Sequence, residues 1–179
     1  RCVHCTEALE RIRRQILPPR EREAALDRLV KAVRRTGAGK DYDCIIGVSG
    51  GVDSTATAMI VKRDLGLRPL AVHFDNGWDS ELAVANIKLV LDKLDIELYT
   101  HVVDWEEFRD IQLAFLRASI PNAELPTDHG INALLPRIAK EQGLRYMISG
   151  SNIATEAIMP YAWGHYNNDL CHLQAIQHL

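Results

Sequence analysis

The sequence has 179 residues, 47% hydrophobic and 25% charged, with a formal net charge of −3. That balance suits one globular domain with a true core and excludes a disordered or fibrous chain. No apolar run nears the roughly 18 residues that span a bilayer, no secretory signal is visible and there is no global basic field, so neither membrane nor nucleic acid is an expected partner. Four cysteines do not make a disulfide scaffold, and a reducing cytoplasm is the expected setting.

Residues 1–40 read as a Cys-x-x-Cys followed by a helical segment, and residues 41–179 as the main domain. Residues 6–36 are helical in two pieces broken at Pro18-Pro19. Leu26, Leu29, Val30 and Val33 fall at i, i+3, i+4, i+7 in the second piece, one apolar stripe. The basic runs Arg11–Arg14 and Val33–Arg35 are solvated faces of these helices. Gly37-Ala38-Gly39-Lys40 resembles the end of a Walker A loop. Arg34 stands where that motif's first Gly would be, and no Ser or Thr follows Lys40, so the segment reads as a helix stop.

From there the pattern alternates. Cys44-Ile45-Ile46-Gly47-Val48 is a continuous apolar run, the mark of a strand buried on both faces. Residues 54–65 are helical, 70–74 a second strand, and 79–94 a helix with Leu82, Ala85 and Leu89 expected inward. Residues 97–103 form a third strand, 105–117 a helix, 118–127 a loop with two prolines, 129–142 a helix and 146–149 a fourth strand. Strands alternating with helices predict a doubly wound α/β fold, a mostly parallel sheet with its ligand at the strands' carboxyl ends. The first residue is not Met, and the apolar pattern Leu170, Leu173, Ile176 runs to the end without a breaker, so the chain is expected to be part of a longer protein.

The chemistry is expected in Ser49-Gly50-Gly51-Val52-Asp53-Ser54, between the first strand and its helix. Two glycines let the backbone turn tightly and approach an anion. The helix aims free N–H groups and its positive end at the loop, and the Ser49 and Ser54 hydroxyls add donors. Asp53 is informative, because a carboxylate beside a polyphosphate is repulsive unless a cation lies between them; it argues for Mg²⁺. With no Lys in the loop, the cradle suits a departing pyrophosphate rather than a transferred γ-phosphoryl group.

The hexapeptide resembles the PP-loop, or N-type ATP pyrophosphatase, superfamily. The resemblance implies ATP as cofactor and attack by a carbonyl or carboxyl oxygen on its α-phosphorus. It places the nucleotide on Val48, Ser49, Gly50, Gly51, Asp53 and Ser54, on the His73-Phe74-Asp75 strand end, and on Gly150 and Ser151. Val72 to Phe74 would offer backbone groups to adenine. Asp75-Asn76-Gly77 is otherwise a plain turn. Glu156 would join Asp53 as a Mg²⁺ ligand, although a Glu at a helix start is also a simple dipole partner.

Val72–Trp78, Leu125-Pro126-Thr127-Asp128-His129 and Gly150–Glu156 are similar to the N-acetyl sugar amidotransferases of bacterial surface-polysaccharide synthesis, over residue 42 to the end. This implies a nucleotide-linked acetamido sugar as substrate, converted to an acetamidino sugar, with ammonia from a separate glutaminase and a cyclase-like partner. A homo-oligomer is compatible with this. Asp128 is a candidate catalytic residue beside Asp53; Asp128 and His129 either cap the following helix or orient the sugar and take a proton from ammonia. Trp78 and Trp163 either stack on a ring or pack, and His165, Tyr166, Asn167 and Asn168 form a polar aromatic patch. Cys2-Val3-His4-Cys5 is half of a zinc site, whose second pair the resemblance places upstream; Cys44 and Cys171 read as ordinary thiols. The alternatives are another PP-loop enzyme, either tRNA-thiolating or like the NAD and GMP synthetases, and a non-catalytic ATP-binding module. Cys44, inside a strand, is poorly placed for sulfur transfer.

Overall fold

A computed structural model describes residues 2–151 and 166–178. Helices α1 (Val3–Gln15) and α2 (Pro19–Gly37) lead in. Then follow β1 (Cys44–Gly47), α3 (Val52–Met59), β2 (Pro69–Asp75), α4 (Glu81–Leu94), β3 (Leu98–Val102), α5 (Trp105–Arg117), α6 (Leu125–Glu141), β4 (Met147–Ile148) and α7 (Leu170–Gln177). The helix after the Ser49–Ser54 loop ends in a π-helical turn over Ile60–Asp64.

The sheet order is β3-β2-β1-β4, and all three pairings are parallel. The chain moves outward from β1 to β2 to β3, then crosses back to place β4 on the other side of β1. That reversal makes the carboxyl end of β1 and β4 a topological switch point, where loops diverge and leave a crevice. The alternation within β1 explains its apolar run. Cys44 and Ile46 face a core with Val33 of α2, Ala58 of α3, and Ile87 and Leu91 of α4. Ile45 faces Leu134 and Ile138 of α6 on the other side. A third cluster, Phe115, Leu125, Leu173 and Ile176, ties α5 and α7 to the start of α6. The sheet is thus covered on both faces, as a doubly wound α/β fold requires.

Two expectations are corrected. The inward face of α4 is Ile87 and Leu91, whereas Leu82 and Leu89 are 71% and 53% exposed. Positions 82–85 and 89–91 are nearly all apolar, so periodicity leaves the helix's rotation open. The packing sets it through Ala83, whose backbone lies against Gly50. Helix α6 starts at Leu125 rather than 129, with Pro126 in its first turn, where a missing N–H costs nothing. Asp128 and His129 therefore lie inside the helix, and neither is its cap. The apolar stripe of α2 docks only at its end: Val33 is buried, while Leu26 and Leu29 are exposed. Gly37 does end α2, and the Lys40 ammonium donates to the Gly143 carbonyl, so that Gly-Lys pair is structural.

Candidate active site

Strand β1 delivers the chain to the switch point, where Val48 N–H still donates to the Val72 carbonyl (3.0 Å). Ser49 to Ser54 then turn back into α3. Ser49 N–H donates to Ser54 Oγ (3.2 Å), and that hydroxyl donates to the Gly51 carbonyl (3.1 Å). The Ser54 hydroxyl expected to face a phosphate is therefore engaged in shaping the loop, and Ser49 Oγ lies beside it at 3.3 Å. Gly50 has φ +74°, and a Cβ there would stand 2.5 Å from the Ala83 carbonyl oxygen, so glycine is required twice over. Gly51 is the helix N-cap without a side-chain bond. The first intrahelical bond is Thr55 N–H to the Gly51 carbonyl at 3.1 Å, leaving the N–H groups of Val52, Asp53 and Ser54 ahead of it. Val52 and Asp53 are exposed. The result is a shallow cup of N–H donors with one carboxylate on its rim.

Beside this cup lies a cleft of about 550 Å³ on the α6 side of the sheet. Its floor is Ile45, Val48, Val72 and Ile148; its polar lining includes Ser49, His73, Asn76, Asp79, Thr127 and Asn132. An apolar slot with a few fixed polar groups next to an anion cup suits a purine nucleoside with its phosphates on the loop. Gly150 and Ser151 close one wall. A Cβ on Gly150 would lie 2.7 Å from Thr57 Oγ1 and 3.0 Å from the Asp53 carbonyl oxygen, so the loop after β4 packs directly on the first turn of α3. This brings the segment that leads to Glu156 against Asp53. Glu156 itself, like Trp163 and His165, lies outside the described residues.

The β2 end lines the cleft with Val72, His73, Phe74 and Asn76 and is tied to its neighbours by side-chain contacts. His73 is 7% exposed; Nδ1 lies 2.9 Å from the Val48 carbonyl and Nε2 lies 3.0 Å from Asp79 Oδ2. Both partners are hydrogen-bond acceptors, and the ring sits between the Val48 carbonyl and the Asp79 carboxylate. The imidazole thus ties the root of the phosphate loop to the segment entering α4. The Val72 carbonyl is taken by Val48, and the Phe74 ring packs on Gly130, His101 and Phe108. Asp75 Oδ1 accepts from Gly77 N–H (3.0 Å). Buried Asn76 donates to Thr127 Oγ1 (3.0 Å) and accepts from Trp78 N–H (3.1 Å). Asp79 and Asn132 were missed as cleft residues. Thr127, Ile131 and Leu135 recur at i, i+4, i+8, a signal that appears once α6 is started at 125.

Asp128 does not line the cleft. Its Oδ2 accepts from Asn167 Nδ2 (2.8 Å), and His129 Nδ1 lies 2.9 Å from the Asn167 carbonyl, so the pair latches the chain entering α7. Burial, and secondarily the Glu124 carboxylate, push the Asp128 carboxyl above the usual aspartate range. Cys44 is fully buried, and that burial pushes its thiol up to about 12, which makes it inert. Cys2 and Cys5 have sulfurs 3.3 Å apart; among the described residues, no group of three or more His, Cys, Asp or Glu could hold a metal ion. Among those residues, too, no helix is long and apolar enough to cross a membrane.

A parallel sheet whose switch point carries a Lys-free Ser-Gly-Gly-x-Asp-Ser loop beside a nucleoside-sized cleft defines an α/β domain of the PP-loop ATP pyrophosphatase superfamily. Within it, a family match over residues 21–177 shows that the chain belongs to the NAD synthase family. It is 32% identical over 126 residues to a glutamine-hydrolyzing GMP synthase of Aeropyrum pernix, covering 69% of this chain and 23% of that protein. The fold also resembles a glutamine-dependent NAD⁺ synthetase from Acinetobacter baumannii solved with ADP (TM-score 0.53, 21% identity, 69% of this chain and 24% of that one). An NH3-dependent NAD synthetase from Campylobacter jejuni is similar as well (TM-score 0.50, 16% identity, 73% of this chain and 56% of that one). The chain thus spans less than a quarter of the curated relatives it matches.

Proposed function

We propose that this chain supplies the ATP-dependent half of an amidotransferase that activates the acetamido group of a nucleotide-linked sugar and turns it into an acetamidino group. The observation that carries the ATP half is the loop at the switch point: a cup of N–H donors, no lysine, and Asp53 exposed on its rim. In the reaction, the acetamido oxygen attacks the α-phosphorus of ATP and pyrophosphate leaves toward the N–H groups of residues 52–54. Ammonia then adds to the adenylated carbon, AMP departs with the oxygen, and the nitrogens shed the surplus protons. Mg²⁺ would be held by Asp53 and phosphate oxygens, neutralising the charge that a leaving pyrophosphate gathers. Glu156 is the proposed second ligand. The cleft takes the adenosine, and His73 holds the root of the loop in register.

Ammonia as nucleophile is supported by the relatives, whose names describe glutamine-hydrolyzing and NH3-dependent enzymes. A glutaminase with a cyclase-like partner is the proposed source, in the cytoplasm. The acetamido sugar rests on the wording of residues 72–78, 125–129 and 150–156. A second reading, a ligase of the NAD- or GMP-synthetase type, is favoured by the family match itself. Sulfur transfer to tRNA is disfavoured by the inert, buried Cys44.

The test incubates the protein with ATP, Mg²⁺ and ammonium and measures pyrophosphate with each acceptor in turn. UDP-N-acetylhexosamines are expected to give AMP and pyrophosphate in equal amounts, with an acetamidino product by mass. Release only with the acid precursor of NAD or the carbonyl precursor of GMP would replace the acetamido reading by the second. ATP binding without release for every acceptor would make the chain a nucleotide-binding module.

A further inference from the structure

Two indoles stand at the carboxyl edge: Trp78, for which the sequence leaves ring stacking and packing both open, and Trp105. Trp78, on the loop after β2, is 63% exposed, and Trp105, opening α5 after β3, is 41% exposed. Their rings meet edge to face, centroids 5.4 Å apart and planes at 72°. Such a pair normally hides in a core or an interface, since indole surface is among the most favourable to bury. Here the backbone is shaped to keep it outside. Gly77 has φ +80°, and a Cβ there would lie 2.7 Å from Trp105 Cε3, so the loop accepts the second ring only because residue 77 is glycine. Asp75 and Asn76 fix that loop by bonding Gly77 N–H and Trp78 N–H, and Asn76 anchors it to Thr127 of α6. The pair is solvent-exposed and adjoins the cleft through its loop: Asn76 and Asp79 both line the cleft, and Trp78 lies between them in sequence.

We propose that Trp78 and Trp105 form the acceptor subsite, a corner in which the pyranose ring of the substrate stacks its C–H face on one indole and abuts the other. This rests on the acetamido-sugar reading above and extends it to named residues. The feature is a single pair of indoles with centroids 5.4 Å apart, whereas a stable protein interface needs about 800 Å² from each partner. The surrounding charge selects which part of a nucleotide sugar can lie there. Asp75, Asp79, Asp104, Glu106 and Glu107 lie within three residues of an indole in sequence, a local negative charge that disfavours a phosphate and offers acceptors to neutral hydroxyl groups. Asp75 and Asp79 each use one oxygen in the loop, on Gly77 N–H and on His73. Among the described residues, the other oxygen of each carboxylate has no hydrogen-bond partner. The sugar therefore takes the corner, and the diphosphate and base extend away from it.

The test uses UDP-N-acetylglucosamine and UDP-N-acetylgalactosamine with wild type, Trp78→Ala, Trp78→Phe and Trp105→Ala. The chain has three tryptophans, so quenching of indole fluorescence is read as the difference between wild type and each variant. Either sugar is expected to quench wild type, and Trp78→Ala to remove most of that quenching and raise the acceptor KM about ten-fold or more. Trp78→Phe is expected to keep most of the affinity, and ATP affinity is expected to stay within two-fold throughout. Quenching that survives in a protein giving no pyrophosphate would sink the amidotransferase reading and leave the carbohydrate corner standing. The proposal is overturned if neither sugar quenches, if ATP and acceptor affinity fall together in Trp78→Ala, or if the variants only dissociate a dimer in sedimentation.

Discussion

The two ends of the sheet are built by opposite rules. At the amino end, distant segments are braced by charged side chains. Arg68, entering β2, donates to Asp43, entering β1, through Nη2 at 2.7 Å, and to the carbonyls of Lys40 (2.7 Å) and Gly37 (3.1 Å). Arg34 donates to the Leu65 carbonyl (2.6 Å) and Tyr42 to Glu97. At the carboxyl end the bonds are mostly local: Ser49 to Ser54, Asp75 to Gly77, Ser149 to Ser151. His73 with Asp79 and Asn76 with Thr127 add the few cross-braces. The first end holds the fold, and the second leaves N–H donors, carboxylates and indoles free for ligands. Under the proposed function, stability and ligand binding separate along the strand axis, as expected where ligands bind outside the carboxyl ends of parallel strands.

The sharpest way to break this separation is Asp53→Ala. It is expected to lower kcat/KM by about 1,000-fold, a loss of about 4 kcal/mol in transition-state stabilisation, while the melting temperature stays within about 1 °C of wild type. Unfolding of that variant would show that the carboxyl end is structural after all. The converse variant, Arg68→Ala, strips a nearly buried carboxylate of its partner and is expected to cost about 2–3 kcal/mol of stability by urea titration, with ATP affinity unchanged. A loss of ATP affinity larger than the loss of stability would join the two ends.

Acid titration sharpens the same contrast. Burial alone would raise the Asp43 carboxyl, but hydrogen bonds and charge from Arg68 outweigh it and hold the group below the usual range. A depressed folded pKa gives stability that is present above the unfolded value of about 3.9 and is lost as pH falls through the folded one. In Arg68→Ala this acid-side loss is expected to shrink. Asp128 has the opposite sign. Its raised carboxyl favours the protonated fold, so its contribution is full below the unfolded value and disappears as pH rises through the folded one. Asp128→Asn, which keeps an acceptor for Asn167, is expected to stabilise the protein slightly at pH 7, by about 0.5–1 kcal/mol, and to flatten that dependence. A stability loss at pH 7 would show that the ionised form is needed.

Sequence alone predicts a parallel, doubly wound sheet and a tight Gly-Gly turn after its first strand, because both are written in local patterns. An apolar run such as Cys44–Val48 has one common meaning, and Ser-Gly-Gly-x-Asp-Ser before a helix has few. What escaped it depends on tertiary contacts. The rotation of α4 is fixed by Ala83 meeting Gly50, a contact between segments more than thirty residues apart. Pro126 reads equally as loop or first helical turn, and only its place in the first turn of α6 puts Asp128 inside the helix, where it is not a cap. His73 lies near the end of β2 and lines the cleft, and its ring contacts with the Val48 carbonyl and Asp79 come from tertiary packing. Trp105 carried no local signal, because its meaning comes only from Trp78 beside it.

The loop after β1 is expected to receive the ATP phosphates while the adjoining cleft receives the nucleoside. A crystal structure with a non-hydrolysable ATP analogue and Mg²⁺ tests this most directly. The β- and γ-phosphates are predicted within hydrogen-bonding distance of the N–H groups of residues 52–54, with the metal on Asp53 and the adenine between β1 and α6. Phosphates bound elsewhere, or a nucleotide whose base avoids the cleft, would contradict it.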